Sequence, residues 1–237
     1  MAIEGKRVLA VVPARSGSRG IAHKNMAEIG GLSLIARVGR VVRALPWIDR
    51  AIISTDDPAY AEEGRRHGLE APFLRPRALA SDTATGAATW RHAWLAAEQH
   101  YGERYELGIY LQPTSPFRTA GQVEETIRAM LAGGHAAATT IAEVPGHFTS
   151  EKQLRRDSAG MLSFVHADGA RHSNRQTIPV GWYRTGYCYS AVRHQVVDLG
   201  LIVERDCLGV PMSGPVINID DLFELEIARW LAERDGI

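Results

Sequence analysis

A chain of 237 residues suits one large α/β domain or one domain with a small appendage, and its 45% apolar share is ordinary for a globular protein. Acidic and basic residues balance at 27 each, which argues against a nucleic-acid or anionic-membrane binder; local basic clusters point instead to a small anionic ligand. Cys188 and Cys207 are the only cysteines, too few for a disulfide framework, so a reducing, cytoplasmic setting is expected.

The N-terminal MAIEGKR has no apolar leader core, and no apolar run approaches the ~20 residues of a membrane span, so a soluble protein without an export signal is expected. Val8 to Val12 is a continuous valine-rich run, the pattern of a strand buried on both faces, and Pro13 ends it. From Ala14 to Asn25 no apolar periodicity runs. Ser16, Gly17, Ser18 and Gly20 alternate there with the cations Arg15, Arg19 and Lys24. This reads as a loop leaving a strand's carboxyl end, where open α/β sheets hold ligands. Glycines let backbone N–H groups turn toward an anion, and arginine and lysine both suit phosphates. A triphosphate-binding loop and a solvated basic loop share this composition. Asn25 after Lys24 rules out a P-loop, and no G-x-G-x-x-G fingerprint is present.

Downstream, Ser33 to Leu45 has helical apolar spacing with Pro46 beyond it, and Arg50 to Thr55 reads as a strand. Asp57-Pro58 starts a helix as N-cap and first helical residue; Asp56 and Asp57 stand where a Rossmann protein would hold ribose, but capping accounts for them better. Ala71 to Arg75 is expected as a third strand. Ser81, Asp82 and Thr83 either cap the helix through Trp90 and Trp94 or meet a ligand. Tyr105 to Leu111 is the next strand, and the prolines of Gln112-Pro113-Thr114-Ser115-Pro116-Phe117-Arg118 make a rigid turn at its end. Thr119 and Gln122 form a capping box, and Ala136 to Ile141 is a small-residue strand. Glu143 to Tyr183 breaks the pattern and suggests a lid or an oligomer arm; His147, His166 and His172 lack zinc-ligand spacing. Thr185 to Ala191 and Pro215 to Ile219 are expected as strands. Asp220 to Glu233 is expected as a helix with Phe223, Ile227, Trp230 and Leu231 on one face. Asp220 either caps that helix or ligates a metal.

Several of these stretches resemble the signatures of the acylneuraminate cytidylyltransferase family, the CMP-sialic acid synthetases. Pro13, Ala14, Arg15, Gly17, Ser18, Arg19, Gly20, Ile21, Lys24 and Asn25 match P-A-R-x-G-S-[KR]-G-I-x-x-K-N, and Leu111 to Arg118 match L-Q-P-T-S-P-[LF]-R in full. Arg75 to Ala84 and Arg175-Gln176-x-x-Pro179 follow two further family patterns. The resemblance implies a nucleotide-diphospho-sugar transferase fold, a Rossmann-like, mostly parallel sheet sandwiched by helices. Residues 1–142 and 184–237 would form the nucleotide-binding core, and residues 143–183 a β-rich arm exchanged in a homodimer. It implies transfer of a cytidylyl group from CTP to a sialic-acid-like nonulosonic acid, with pseudaminic, legionaminic, KDN or Kdo-type sugars as alternatives. A nucleotide-sensing module without turnover is the competing class.

The same resemblance places the nucleotide on Ala14, Arg15, Ser16, Gly17, Ser18, Arg19, Lys24, Asn25, Ser81 and Asp82, with Arg15, Lys24 and Asp220 as the catalytic set. The sugar acid would meet Gln112, Thr114, Arg175, Gln176, Arg184, Gly186 and Tyr189. Magnesium would sit at Asp220, with Asn218 offering an amide oxygen or holding a metal-bound water. Two positions depart from the family: Thr185 stands where an asparagine is usual, and Asn218 replaces the first aspartate of a D-x-D motif.

Overall fold

A computed structural model describes residues 3–18, 20–167, 169–171 and 178–236. The valine-rich run is β1 (Val8–Pro13), and its residues are buried on both faces except at the terminal proline. A short hairpin follows, β2 (Glu28–Ile29) and β3 (Leu32–Ser33), and leads into α1 (Leu34–Arg43), whose cap Ser33 accepts from the Ala36 N–H. Then come β4 (Arg50–Ser54) and α2 (Pro58–Arg66), capped by Asp57 as expected. α3 (Gly86–Tyr101) and β5 (Leu107–Tyr110) precede α4 (Ala120–Ala132), where both arms of the Thr119–Gln122 capping box are formed. β6 (Ala137–Glu143), the hairpin β7 (Leu154–Arg156) and β8 (Leu162–Phe164), β9 (Trp182–Val192), β10 (Cys207–Pro211) and α5 (Leu222–Asp235) complete the chain.

The sheet runs β10-β6-β9-β5-β1-β4. β1 pairs parallel with β4 and β5, and β10 pairs parallel with β6. Only β9 is antiparallel to its neighbours. The fold is thus α/β with a mostly parallel sheet. Alternation along β1 divides the core: Val8, Ala10 and Val12 pack with residues of α1, α2 and α4, whereas Leu9 and Val11 face Trp90, Trp94 and Ala97 of α3. The α3 side is unusually close. A Cβ on Gly108 of β5 would lie 2.2 Å from the Trp94 ring, so glycine is what admits the indole. Among the described residues, no helix is long and apolar enough to cross a membrane.

Four expectations need correction. Ala71 to Arg75 forms no strand; pairing stops at a single bridge between Ile52 and Glu70, and Pro72 removes a ladder donor just beyond it. Pro215 to Ile219 is extended but unpaired in the sheet, touching it through single bonds such as Ile219 N–H to the Thr114 carbonyl at 2.9 Å. The edge position belongs instead to β10, where Gly209 sits against Ile141. Thr85, not the Ser81–Thr83 cluster, caps α3. On α5 the cap is Asp221, with Glu224 completing the box, and the buried face is Leu225, Ala228, Leu231 and Ala232; Phe223 and Trp230 are exposed. No group of three or more potential metal-ligating His, Cys, Asp or Glu side chains occurs among the described residues, His147 and His166 included; His172 lies outside them.

Candidate active site

A cleft of about 270 Å³ opens at the carboxyl ends of the central strands, lined by the loop after β1, the turn before α3 and the rigid turn after β5. The first loop is shaped from below. Asp56, just past β4, accepts from the Ser16 backbone N–H at 2.9 Å and from its hydroxyl at 2.7 Å. Burial alone would raise the Asp56 carboxyl; the two Ser16 bonds, with the Arg75 charge nearby, hold it below the usual range. Asn25 donates to the Arg15 carbonyl at 3.1 Å and so ties the loop's ends together. His23 takes the left-handed conformation at φ 51°, turning the chain so that Lys24 enters the cleft. Gly20 lies so near the chain before α5 that a Cβ there would come within 2.3 Å of the Asp220 carbonyl oxygen.

Two cations of the loop are already engaged. Arg15 pairs with Asp82 at 2.8 Å, which draws the turn before α3 onto the loop after β1. Lys24 donates to Asp220 Oδ1 and to the Ile219 carbonyl, both at 2.8 Å. The Lys24 side chain is only 14% exposed while that of Asp220 is 78% exposed, so the carboxylate is the open end of the pair. Gly17, Ser18, Asn25, Ser81 and Asp82 also line the cleft. Ala14 is buried beneath it. Arg19 lies outside the described residues.

Gln112 and Thr114 line the other end of the cleft. Gly186 has a positive φ of 72°, and a Cβ there would meet the Gln112 side-chain oxygen at 2.8 Å and the Asn218 one at 3.3 Å. Only glycine lets these side chains converge. Asn218 is held at both ends: its oxygen accepts from Ser115 Oγ at 2.6 Å and its amide donates to the Thr185 carbonyl at 2.7 Å. The Thr185 side chain turns inward to Thr140 Oγ1 at 2.6 Å. Tyr189 is buried edge-on to Tyr110, 6.4 Å between ring centroids, under the cleft rather than in it. Arg184 stands on β9 outside the cleft lining, near enough to Tyr189 to affect its ionisation. Arg175 and Gln176 lie outside the described residues.

Sequence reasoning passed over three participants. Arg75 is buried in the cleft wall, held by Ser54 and by the Leu79 carbonyl, with its guanidinium pushed below the usual range by burial. Tyr110 forms part of the floor. Arg118, last residue of the rigid-turn motif, is 5% exposed and donates to the backbone carbonyls of Tyr187, Gln112 and Gly186. Burial pushes its pKa down to about 10. A buried arginine that clasps carbonyls leaves no periodic signal in the sequence.

As a metal position, Asp220 offers one exposed carboxylate beside the phosphate loop, which suits a magnesium ion held mostly by the phosphates themselves. Asn218 is held by Ser115 and the Thr185 carbonyl, and its amide oxygen keeps one lone pair beyond the bond it accepts from Ser115.

Residues 9–149 match the profile of the family described as cytidylyltransferase. The chain is 26% identical over 229 residues to an N-acylneuraminate cytidylyltransferase of Escherichia coli O18:K1:H7, covering 96% of this chain but only 52% of that protein. It is 30% identical to post-translational flagellin modification protein B of Campylobacter coli over 97% of both chains. The fold superposes with a TM-score of 0.70, at 16% identity, on a CMP:2-keto-3-deoxy-manno-octonic acid synthetase solved with CTP, covering 97% of this chain and 99% of that one. The profile match at residues 9–149 spans more than half of the chain and takes in the loop after β1 and the rigid turn, and the chain belongs to the cytidylyltransferase family.

Proposed function

We propose that the protein transfers the cytidylyl group of CTP to a sialic-acid-like nonulosonic acid, releasing pyrophosphate. The observation that carries this reading is a single cleft shared by the loop cations Arg15 and Lys24 and, at its other end, Gln112 and Thr114. The sugar's anomeric hydroxyl attacks the α-phosphorus in line; that P–O bond forms as the bond to the pyrophosphate oxygen breaks. Such a reaction needs positioning and charge neutralisation more than covalent help. Arg15 and Lys24 grip the triphosphate, and Asp220 would hold a magnesium ion whose chemistry there would be Lewis-acid neutralisation of phosphate charge. Gln112 receives the sugar acid. Two free thiols fit a cytoplasmic setting. The test is pyrophosphate release with CTP, magnesium and a panel of N-acetylneuraminic, pseudaminic, legionaminic, KDN and Kdo acids. Release with none of them overturns the reading.

Arg15→Ala should keep the fold, since a half-exposed loop cation contributes little to a core, and lower kcat/KM for CTP by about 1.5–3 kcal/mol of transition-state binding. An unchanged kcat/KM removes Arg15 from the phosphate grip.

The segment between β6 and β9 exposes Phe148, Met161, Leu162 and Phe164 at 65%, 68%, 63% and 43%. So much apolar surface on one short segment marks a contact region, and we assign it to a second copy of the chain. Sedimentation should give a homodimer. Deleting the segment should abolish sugar binding while part of the CTP affinity survives; a fully active monomer at matched concentration would contradict the assignment.

A further inference from the structure

On the opposite side of the rigid turn from the nucleotide cleft lies a second cleft of about 380 Å³, between α1 and the start of α4. Its chemistry is unusual for a surface depression. Arg37, Arg40 and Arg118 all line it, and among the described residues no aspartate or glutamate does. The two inner arginines are compensated only by backbone: Arg37 gives Nε and Nη2 to the Ile29 carbonyl at 3.0 and 2.5 Å, and Arg118 gives its bonds to carbonyls of the turn and of β9. Arg118 Nη1, fully buried, has no hydrogen-bond partner at all among the described residues. Arg40 is exposed at the mouth.

Three like charges gathered without a counter-charge repel one another, and burial of two of them limits screening by water. The guanidinium of Arg37 is accordingly pushed below its usual range by burial and by Arg40. The wall adds a fourth positive contribution. α4 is a 13-residue helix whose first residue, Ala120, lines the cleft; its capping box serves the Gln122 N–H, while the N-terminal end of the helix carries partial positive charge. Between the cations the surface is apolar: Val41, Pro116 and the Phe117 ring, over which the Arg37 guanidinium lies at 6.0 Å. A cation cluster set in an apolar wall selects a ligand with an oxyanion at one end and an apolar body behind it.

We propose that this second cleft is a binding site for an organic oxyanion, a phosphate or carboxylate joined to an apolar group, separate from the nucleotide cleft and backed onto the same turn. Arg40 makes the direct contact, Arg37 and Arg118 supply a poorly screened positive field, and the helix start completes it.

Phenyl phosphate and benzoate are the probes, titrated calorimetrically into the intact protein with and without saturating CTP. The expected result is one site for at least one of them, retained when CTP fills the front cleft, with Kd weakened tenfold or more in Arg40→Glu and restored toward wild type in Arg40→Lys. Because Arg40 is exposed and lies outside the nucleotide cleft, both variants should keep the fold by circular dichroism. Which probe binds distinguishes phosphate from carboxylate. Binding of neither probe, displacement of the probe by CTP, or wild-type affinity in Arg40→Glu overturns the proposal. Failure of CTP to bind would instead count against the proposed transferase activity, and the titration without nucleotide would still report on this cleft.

Discussion

Asp220→Ala is expected to lower kcat roughly 10²-fold or more, because Lewis-acid neutralisation of phosphate is worth several kcal/mol and Asp220 is the exposed carboxylate beside the phosphate loop. The structure sharpens this expectation. Asp220 is not the cap of α5, a role filled by Asp221, so loss of activity would not come from an unwound helix. Nor would Lys24 be left unheld, since the Ile219 carbonyl remains its acceptor at 2.8 Å. A magnesium titration at saturating CTP is the measurement. Full rate and unaltered magnesium dependence in Asp220→Ala would reduce the residue to a partner for Lys24. Asn218→Asp makes the companion variant. The sequence alone suggests it would be tolerated and would tighten magnesium; the structure points the other way. A carboxylate at 218 could not donate to the Thr185 carbonyl and would set two oxygens against each other, at a cost of about 1–3 kcal/mol.

The second large effect is expected at Arg118. Its guanidinium is the common donor for three carbonyls on two different elements, Gln112 in the turn after β5 and Gly186 and Tyr187 on β9. Arg118→Met keeps much of the apolar stem but strands these acceptors in a buried place, so stability should fall by about 3–5 kcal/mol. The urea unfolding midpoint reads this directly. Protein that still folds should show a larger rise in KM for the sugar acid than for CTP, since Arg118 holds the carbonyl of Gln112, which lines the end of the cleft proposed for the sugar. An unmoved midpoint would show that the carbonyls find other donors.

Much of this was legible in the residues. Continuous apolar runs marked β1, β4 and β5, where burial on both faces leaves no alternation to misread, and Thr119 with Gln122 announced a helix start through local chemistry. The cleft-lining loop after β1 and the rigid turn were legible for the same reason: their glycines, prolines and cations act within a few positions of one another. The misreadings share a cause. Whether Cys207–Pro211 or Pro215–Ile219 joins the sheet is decided by distant β6, not by propensity. The face of α5 depends on which side meets the Ile21–Ile29 region, and Phe223 and Trp230 lost that contest to smaller alanines that allow closer approach. Arg75 and Arg118 are charged residues taken inside by backbone carbonyls, a context that exists only after folding.

The placement of the indoles gives the molecule its own optical labels. Trp90 is buried, its ring 5.9 Å from Trp94 and 5.2 Å from Tyr110, and Tyr110 is part of the cleft floor. Trp182, at the start of β9, is 49% exposed beside the apolar hairpin segment, and Trp230 is 57% exposed on α5. Emission from Trp90 should therefore respond to a ligand in the cleft through Tyr110, while covering Trp182 should remove one of the two indoles open to iodide and leave Trp230 as a constant background. Ligand entry and self-association become separable in one cuvette, with no dye attached.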